Sequence, residues 1–460
     1  MIDIIVKAGD FIWTYILIAL LLGCALYFTI RTRGVQFRMI PEMIRLMLGR
    51  DEKGKAGMSS FKAFSVSLAS RVGTGNLAGV ASAIFVGGPG AVFWMWVTAF
   101  FGAATGFVEA TLAQLYKRRD SKGFYGGPAY YMQVGLNARW MGILFAILIT
   151  LTFAMTQQTV QSNTITASLS SMFGVSKIWI ALPLAILTFV IVSGGIRRVA
   201  EITCLLVPFM AIGYILLALW IILTNISEVP SVLRLIIDSA FGLRQAAGGV
   251  VGLAVMQGVR RGLFSNEAGE GSAPNAAAIA DTSHPVKQGL VQSLGVFVDT
   301  LVICTCTALI ILLSGVWDCG EDGIILTTYA LETEVGVVGR YFVTAAIFLF
   351  AFSSIIANYY YGETNLSFIK KKKWIVWALR CSTPVMVFIG SLIELQQAWS
   401  LVDFMMALLT ICNLTAIILL SPRVFRLLAD YRAQKKSGIK EPRFRKGMFP
   451  DIKDKLEGWD

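Results

Sequence analysis

Residues 70–85, SRVGTGNLAGVASAIF, decide how the rest of the chain is read. They lie within an apolar segment, 60–86, long enough to cross a bilayer as one helix. Yet this segment holds Arg71, Thr74 and Asn76 beside Gly73, Gly75 and Gly79. Each glycine weakens a helix by about 1 kcal/mol relative to alanine and frees the backbone to open. In hydrocarbon, an opened backbone survives only where it lines a cavity inside the protein. The stretch therefore predicts a helix interrupted near Gly73–Gly75, whose second half starts near Leu77 and turns its free N–H groups and positive dipole end into a cavity. Gly75 and Gly79 also fit the small-xxx-small spacing of close helix packing. Gly73, Gly75 and Ala78 satisfy G-x-G-x-x-G/A, but no strand precedes them and the next acidic residue is Glu109, so a dinucleotide loop is excluded.

The rest of the chain supplies the context. It has 460 residues, 56% hydrophobic and only 15% charged, against about 45–50% and about 25% in soluble proteins. Apolar segments recur at 11–30, 60–86, 90–116, 140–168, 178–194, 201–224, 247–280, 288–314, 341–361, 374–393 and 399–420, which predicts eleven spans. The net charge of +12 collects in short loops, as cytoplasmic loops do, and no basic domain stands apart to bind nucleic acid. Basic loops at 31–55, 117–122, 195–201, 281–287 and 369–374 and the basic tail fall on one side. The acidic loop 316–336 falls on the other, which predicts N-out and C-in. Segment 11–30 reads as a retained first helix rather than a signal peptide. Met39–Leu48 and Val232–Phe241 read as interfacial amphipathic helices. Seven scattered cysteines, with no CxxC, suggest neither a disulfide framework nor a zinc site.

Without the extra N-terminal helix 11–30, the spans divide into two sets of five, 60–224 and 247–420, followed by a basic cytoplasmic tail, 421–460. All belong to one transmembrane domain, 1–460. The opening span of each set is glycine-broken, the second within RRGLFSNEAGEGSAPN (260–275), with Ser272 as a candidate N-cap. Interrupted helices at corresponding positions of oppositely directed halves mark a secondary transporter with inverted repeats. A second broken span at the matching position weighs against close packing as the sole reason for the glycines. Paired half-helix ends, two positive and two negative, suit a zwitterion.

SRVGTGNLAGVASAI, GGPGAVFWMW (87–96), GFYGGPAYYM (123–132), VQSN (160–163), FSNEAGEGSAPNAAAIA (264–280) and FAFSSIIANYYYGE (350–363) together resemble the alanine or glycine:cation symporter family, from about residue 30 to 420. That family is similar in architecture to the leucine-transporter (LeuT) fold. The resemblance implies an all-α polytopic protein with a 5+5 inverted repeat, the first helix of each repeat discontinuous. The implied activity is sodium-coupled import of a small neutral amino acid, alanine or glycine, by alternating access across the cytoplasmic (inner) membrane. It implies substrate contacts from Thr74, Gly75, Asn76, Gln161, Phe264, Ser265, Asn266 and Gly269. It also implies a Na⁺ site from the carbonyls of Ala69, Val72 and Phe350 with the hydroxyls of Ser353 and Ser354. Glu270 departs from the family pattern, where an uncharged residue is usual, and could instead be exposed at the cytoplasmic mouth. No lysine lies in 201–224, the place where some carriers of this architecture substitute a lysine for sodium.

Charges within spans are costly and point to function. Arg71, Arg260 and Arg261 precede the breaks, and Glu267, Glu270 and Asp299 lie in or near the second. A structural or gating pair between Arg261 and Glu267 or Asp299 is expected, while the lone His284 is expected to be solvated. No organic cofactor and no enzyme motif is apparent. The rival readings are a same-fold symporter for another small solute and, from another class, an ion channel or membrane sensor.

Overall fold

The computed structural model describes residues 2–49, 58–121, 123–242, 248–370 and 372–459. The chain is overwhelmingly helical. The first apolar helix, α1 (Val6–Arg31), is followed by the amphipathic α2 (Ile40–Leu48). Helices α3 (Ser60–Arg71) and α4 (Gly75–Gly87) are the two halves of the first interrupted helix. The long α5 (Gly90–Leu115) leads into a small hairpin, β1 (Arg118–Asp120) and β2 (Gly123–Tyr125), in which Arg118 pairs with Tyr125. Then come α6 (Pro128–Gly135), α7 (Arg139–Phe173), α8 (Lys177–Val192) and α9 (Gly195–Thr224). The short α10 (Val229–Ala240) bends away from α9 by 103°. Helices α11 (Gly248–Asn266) and α12 (Ala273–Ala277) flank the second interruption. The remaining elements are α13 (Pro285–Leu313), α14 (Gly323–Val335), α15 (Val337–Ile369), α16 (Lys373–Leu392) and α17 (Leu395–Lys436).

A helix or interrupted helix lies at every position where an apolar segment predicts one. Among the described residues, seven helices are long and apolar enough to cross a membrane by themselves, eight if the α9–α10 pair is included. Outside that count fall the shorter apolar helices Gly75–Gly87 and Lys177–Val192, and α11, whose glycines and arginines lower its hydropathy. The chain is a helical polytopic membrane protein.

Three expectations change. The acidic segment 316–336 is not a plain loop: Asp322 accepts from the Gly323 amide at 2.5 Å, starting α14, which buries Ile324, Leu326, Ala330 and Leu331. An acidic cap masked an apolar helix. The tail expected over 421–460 is helical up to Lys436, and the remainder folds back onto the body, burying Phe444, Phe449, Ile452, Leu456 and Trp459. His284 is fully buried against Tyr431 and Phe444, with Nε2 3.2 Å from Asp430. These residues lie far apart in sequence, so only the fold-back reveals the contact.

Helix α5 is central, packing along α11 and the first half of α13, while α7 packs on α15 and α16. Among the described residues, four π-helical segments interrupt the regular winding, at Trp13–Leu17, Gly75–Gly79, Thr152–Thr156 and Phe297–Cys304. Such bulges turn side chains off the ordinary helix face and collect at functional sites. Two of them lie at the chamber described next.

A polar chamber between two interrupted helices

The first interruption is short. Helix α3 ends at Val72 (φ −77°, ψ 88°), and the chain resumes as the π turn Gly75–Gly79. The freed donors find side-chain acceptors. The Gly73 amide donates to Asn76 Oδ1 at 2.9 Å, and the Thr74 amide and hydroxyl donate to Gln161 Oε1 at 3.1 and 2.7 Å. The Asn76 bond, within the segment, holds the unwound turn shut on itself.

The second interruption is longer and more tightly held. Glu267 (φ 56°), Gly269 (φ 100°) and Gly271 (φ 82°) all lie in left-handed backbone. Glu267, with a side chain, is disfavoured there by about 1–2 kcal/mol. Its carboxylate is fixed by Ser70 Oγ at 2.5 Å and by the Ser272 hydroxyl. Ser272 is therefore not the N-cap expected: its backbone is helical (φ −75°, ψ −60°) and its hydroxyl serves Glu267. Glu109, on α5, accepts from the amides of Gly269 (3.3 Å) and Gly271 (3.2 Å) and from Asn413 Nδ2 (2.9 Å). Asn413 also donates to the Gly269 carbonyl at 2.9 Å and accepts from the Tyr131 hydroxyl. Asn266 Oδ1 takes the Ala268 amide at 3.0 Å.

The two interruptions meet at Asp299, within the π segment of α13. Asn76 Nδ2 donates to its Oδ1 at 2.7 Å, while Ser265 Oγ (2.6 Å) and Thr300 Oγ1 (2.8 Å) donate to its Oδ2. Asn76 also lies 3.2 Å from Ser265 Oγ, and Cys304 Sγ approaches both. Phe264 closes one wall. Its ring lies where a Cβ on Gly75 would go, and it packs edge-on against Trp399 at 4.8 Å. Of the expected substrate contacts, Thr74 and Gln161 are thus joined, Gly75 abuts Phe264, and Asn76 meets Ser265. Asn266 and Gly269 lie in the clamped second segment.

Four of the five residues expected to hold Na⁺ are brought together. Ser354 Oγ donates to the carbonyls of Ala69 (2.9 Å) and Phe350 (3.1 Å), and Ser353 Oγ to the Phe350 carbonyl (2.8 Å). Gly73 packs so closely on Ser354 that a Cβ there would collide with it. Val72, whose carbonyl completes the expected set, is buried at the end of α3. Neutral hydroxyl and carbonyl oxygens suit a hard monovalent cation, and the donor set fits sodium.

The expected pair of Arg261 with Glu267 or Asp299 does not form. Arg261 instead meets Asp403 Oδ2 at 2.5 Å and covers the Trp399 ring at 3.9 Å, while Arg260 binds Asp10 at 2.7 Å. Six residues separate Arg261 from Glu267, about 9 Å of rise along a helix, and Glu267 is taken instead by Ser70 and Ser272. Glu270 is fully buried, not exposed at the mouth, and neither carboxylate oxygen has a hydrogen-bond partner in the structure. Arg71, also buried, donates to the Gln292 carbonyl at 3.2 Å.

Sequence reasoning passed over Glu109, Asn413 and Asp403. Glu109 and Asp403 carried a usable signal, since each is a carboxylate within a predicted span. Asn413 carried none.

A bundle of membrane helices, two of them interrupted and joined through a buried polar cluster, has the architecture of a solute carrier. The comparisons narrow that class: the chain belongs to the sodium:alanine symporter family, which matches it over residues 1–446. It is 50% identical over 444 residues to the probable sodium/glutamine symporter GlnT of Bacillus subtilis (strain 168), covering 96% of this chain and 93% of that one. It is 51% identical over 452 residues to the amino-acid carrier protein AlsT of the same organism, covering 98% and 96%. With the sodium/proton-dependent alanine carrier protein of Bacillus sp. (strain PS3) it shares 38% over 426 residues, 88% of this chain and 95% of that one. The protein is a membrane transporter and not an enzyme, and family membership supports cation-coupled amino-acid transport.

Proposed function

We propose that this protein imports a small neutral amino acid, alanine or glycine, together with Na⁺ by alternating access across the cytoplasmic membrane. The observation that carries this reading is the meeting of Asn76 and Ser265, one from each interrupted helix, on Asp299. Thr74, Gly75, Asn76, Gln161, Phe264, Ser265, Asn266 and Gly269 would surround the substrate. Its carboxylate takes amide donors and its ammonium takes oxygens. Sodium would sit among Ala69, Val72, Phe350, Ser353 and Ser354. Binding there ties α3 to α15, completes the chamber and couples the two ligands by mutual stabilisation.

This reading includes eleven spans, N-out and C-in, with 60–224 and 247–420 as inverted repeats. The driving force suffices: one cation crossing 100 mV yields about 2.3 kcal/mol, and a tenfold gradient adds about 1.4 kcal/mol. The test is uptake of labelled L-alanine by purified protein in liposomes, with and without an inward sodium gradient, competed by glycine, D-alanine and glutamine. Sodium-dependent uptake blocked by glycine supports the proposal. Competition by glutamine alone would transfer it to the larger substrate, and unitary currents independent of amino acid would replace the carrier with a channel.

A further inference from the structure

Past α17 the chain turns back and lies across the ends of several helices. The Phe444 amide donates to the Ser283 carbonyl at 2.9 Å, and Ser283 Oγ to the Pro442 carbonyl at 2.8 Å. Trp459 Nε1 donates to the carbonyls of Gln114 (3.0 Å) and Leu115 (3.2 Å), at the end of α5. The Trp459 ring packs edge-on against Phe444 at 5.0 Å and lies 4.3 Å from Lys117 Nζ. Lys117 Nζ in turn donates to the Ala280 carbonyl at 3.1 Å, just past the second interrupted helix. Glu441 pairs with Lys287 on α13 and, at 3.4 Å, with Arg45 on α2. Two aromatic rings, a buried lysine and four helix ends are thereby tied to one segment. The family match ends at residue 446, so Trp459 lies beyond it.

Beneath this segment runs a seam between α3 and α13 whose polar groups are buried and incompletely partnered. Ser67 Oγ donates to Gln292 Oε1 at 2.7 Å, and Arg71 Nη1 to the Gln292 carbonyl. Gln292 Nε2, both side-chain amide atoms of Gln288, and Arg71 Nε and Nη2 have no partner in the structure. Buried polar atoms without partners are rare and each costs about 1–3 kcal/mol. A row of them belongs to a surface that meets water in another conformation. The row starts next to the chamber, at Arg71, and descends along α13 through Gln292 to Gln288. One turn further lies His284, and Lys287 is adjacent to Gln288; the segment is fastened at both.

We propose that residues 437–459 form a strap that closes the cytoplasmic end of this seam, and that the strap must loosen for the transported amino acid to leave. This rests on the C-inside orientation and the transport reading above. With the strap docked, α13, α5 and the end of the second interrupted helix are held together and the seam stays dry. With it released, water reaches Gln288 and Gln292, and the path from the chamber opens.

The test places a reporter thiol in the seam, Gln288→Cys, and measures its labelling by a membrane-impermeant maleimide in inside-out vesicles. The chain without the added thiol sets the background. Adding Trp459→Ala is expected to raise labelling of the reporter about tenfold by shifting the population toward the open form. The same substitution in the native chain should shorten the half-time for exit of accumulated labelled L-alanine. Glu441→Gln should act in the same direction and more weakly, at a partly exposed position that does not threaten folding. Unchanged labelling in both variants overturns the strap. If Trp459→Ala does not fold, unchanged labelling in Glu441→Gln alone overturns it. Absence of sodium-dependent uptake by the unmodified chain defeats the transport reading instead, while a labelling response in that same protein still supports the strap.

Discussion

The two interrupted helices solve one problem in different ways. The first opens over only Val72 and Gly73, satisfies itself through Asn76 and borrows one outside acceptor, Gln161. The second opens from Glu267 to Ser272, places three residues in left-handed backbone and is gripped by Glu109 and Asn413 from two other helices. A short break with a partner of its own can rewind or reopen at small cost. A long break held from outside is part of the frame. The first segment is therefore the adaptable half of the chamber, the part sodium and substrate would order, and the second is its fixed wall.

Removing the grip should give the largest effect. Glu109→Ala leaves two buried backbone amides and Asn413 without their acceptor. At roughly 1–3 kcal/mol per orphaned donor, the three donors give a loss of about 3–9 kcal/mol, which at its upper end reaches the whole stability of an ordinary protein. Glu109→Gln keeps one acceptor oxygen and should cost about half as much. Gln161→Ala, the matching change at the first break, should leave thermal unfolding in detergent nearly unmoved and raise the KM for uptake. Equal losses of melting temperature at both sites would erase the distinction between wall and adaptable half.

Close approach gives the next test. A Cβ on Gly75 would lie 2.9 Å from the Phe264 ring, an overpacking of about 1–3 kcal/mol. Because that ring is a side chain and can yield, Gly75→Ala should fold but transport poorly, and Phe264→Leu in the same chain should restore part of the uptake. At Gly271 the φ of 82° and the nearby Phe145 ring and Asn413 leave no such remedy. Gly271→Ala should lower the melting temperature, and no single wall substitution should rescue it.

How far this contrast could be foreseen depends on the kind of information each part carries. Glycines inside an apolar run announce both breaks, because glycine acts on the backbone locally. The nearness of Thr74 to Gln161 and of Ala69 to Ser354 came from a family resemblance, since no spacing along one chain states which helices face each other. The pairing of Arg261 failed for the same reason. Position along α11 puts it near Glu267, while the side it faces puts it against Asp403 on α17. The strap was unreadable because a tail rich in lysine and arginine looks solvated. Four of the five apolar residues it buries, Phe449, Ile452, Leu456 and Trp459, recur at helical spacing, yet the segment forms only two short 3-10 turns, and only the docked surface makes sense of them.

Sodium should discriminate between the halves more gently. Ser354 Oγ reaches Ala69, at the end of α3, and makes no side-chain contact with the second break. Ser354→Ala removes one oxygen from the proposed site. It should raise the sodium concentration for half-maximal uptake about tenfold with little change in thermal stability without sodium. If the variant and the parent show the same sodium dependence, the cation is held elsewhere, and the first break loses its claim to be the segment that sodium orders.

The smallest effect concerns how the second segment is fastened at its far end, near Ala280 and His284. Burial pushes His284 down from 6.5 to about 4, while Asp430, 3.2 Å away, pulls it back up and Lys287 adds to the fall. Tyr431 and Phe444 cover its ring, and Glu441 reaches Lys287 from the strap. In the docked form His284 is neutral, so the released form binds more protons between about pH 4 and 6.5. The His284 contribution to the docked strap is then fully present above pH 6.5 and is lost as pH falls through that window, by at most tenfold per pH unit. Lys117, which burial lowers from 10.5 to about 7, follows the same sign in a separate window above pH 7. Maleimide labelling of the Gln288→Cys reporter, normalised to a free thiol at each pH, should therefore rise as pH is lowered from about 6.5 to about 5. His284→Gln, which cannot titrate, should flatten that rise. Parallel curves for the two proteins would mean that protons act elsewhere, leaving the second helix fastened by Lys117, Glu441 and Trp459 alone.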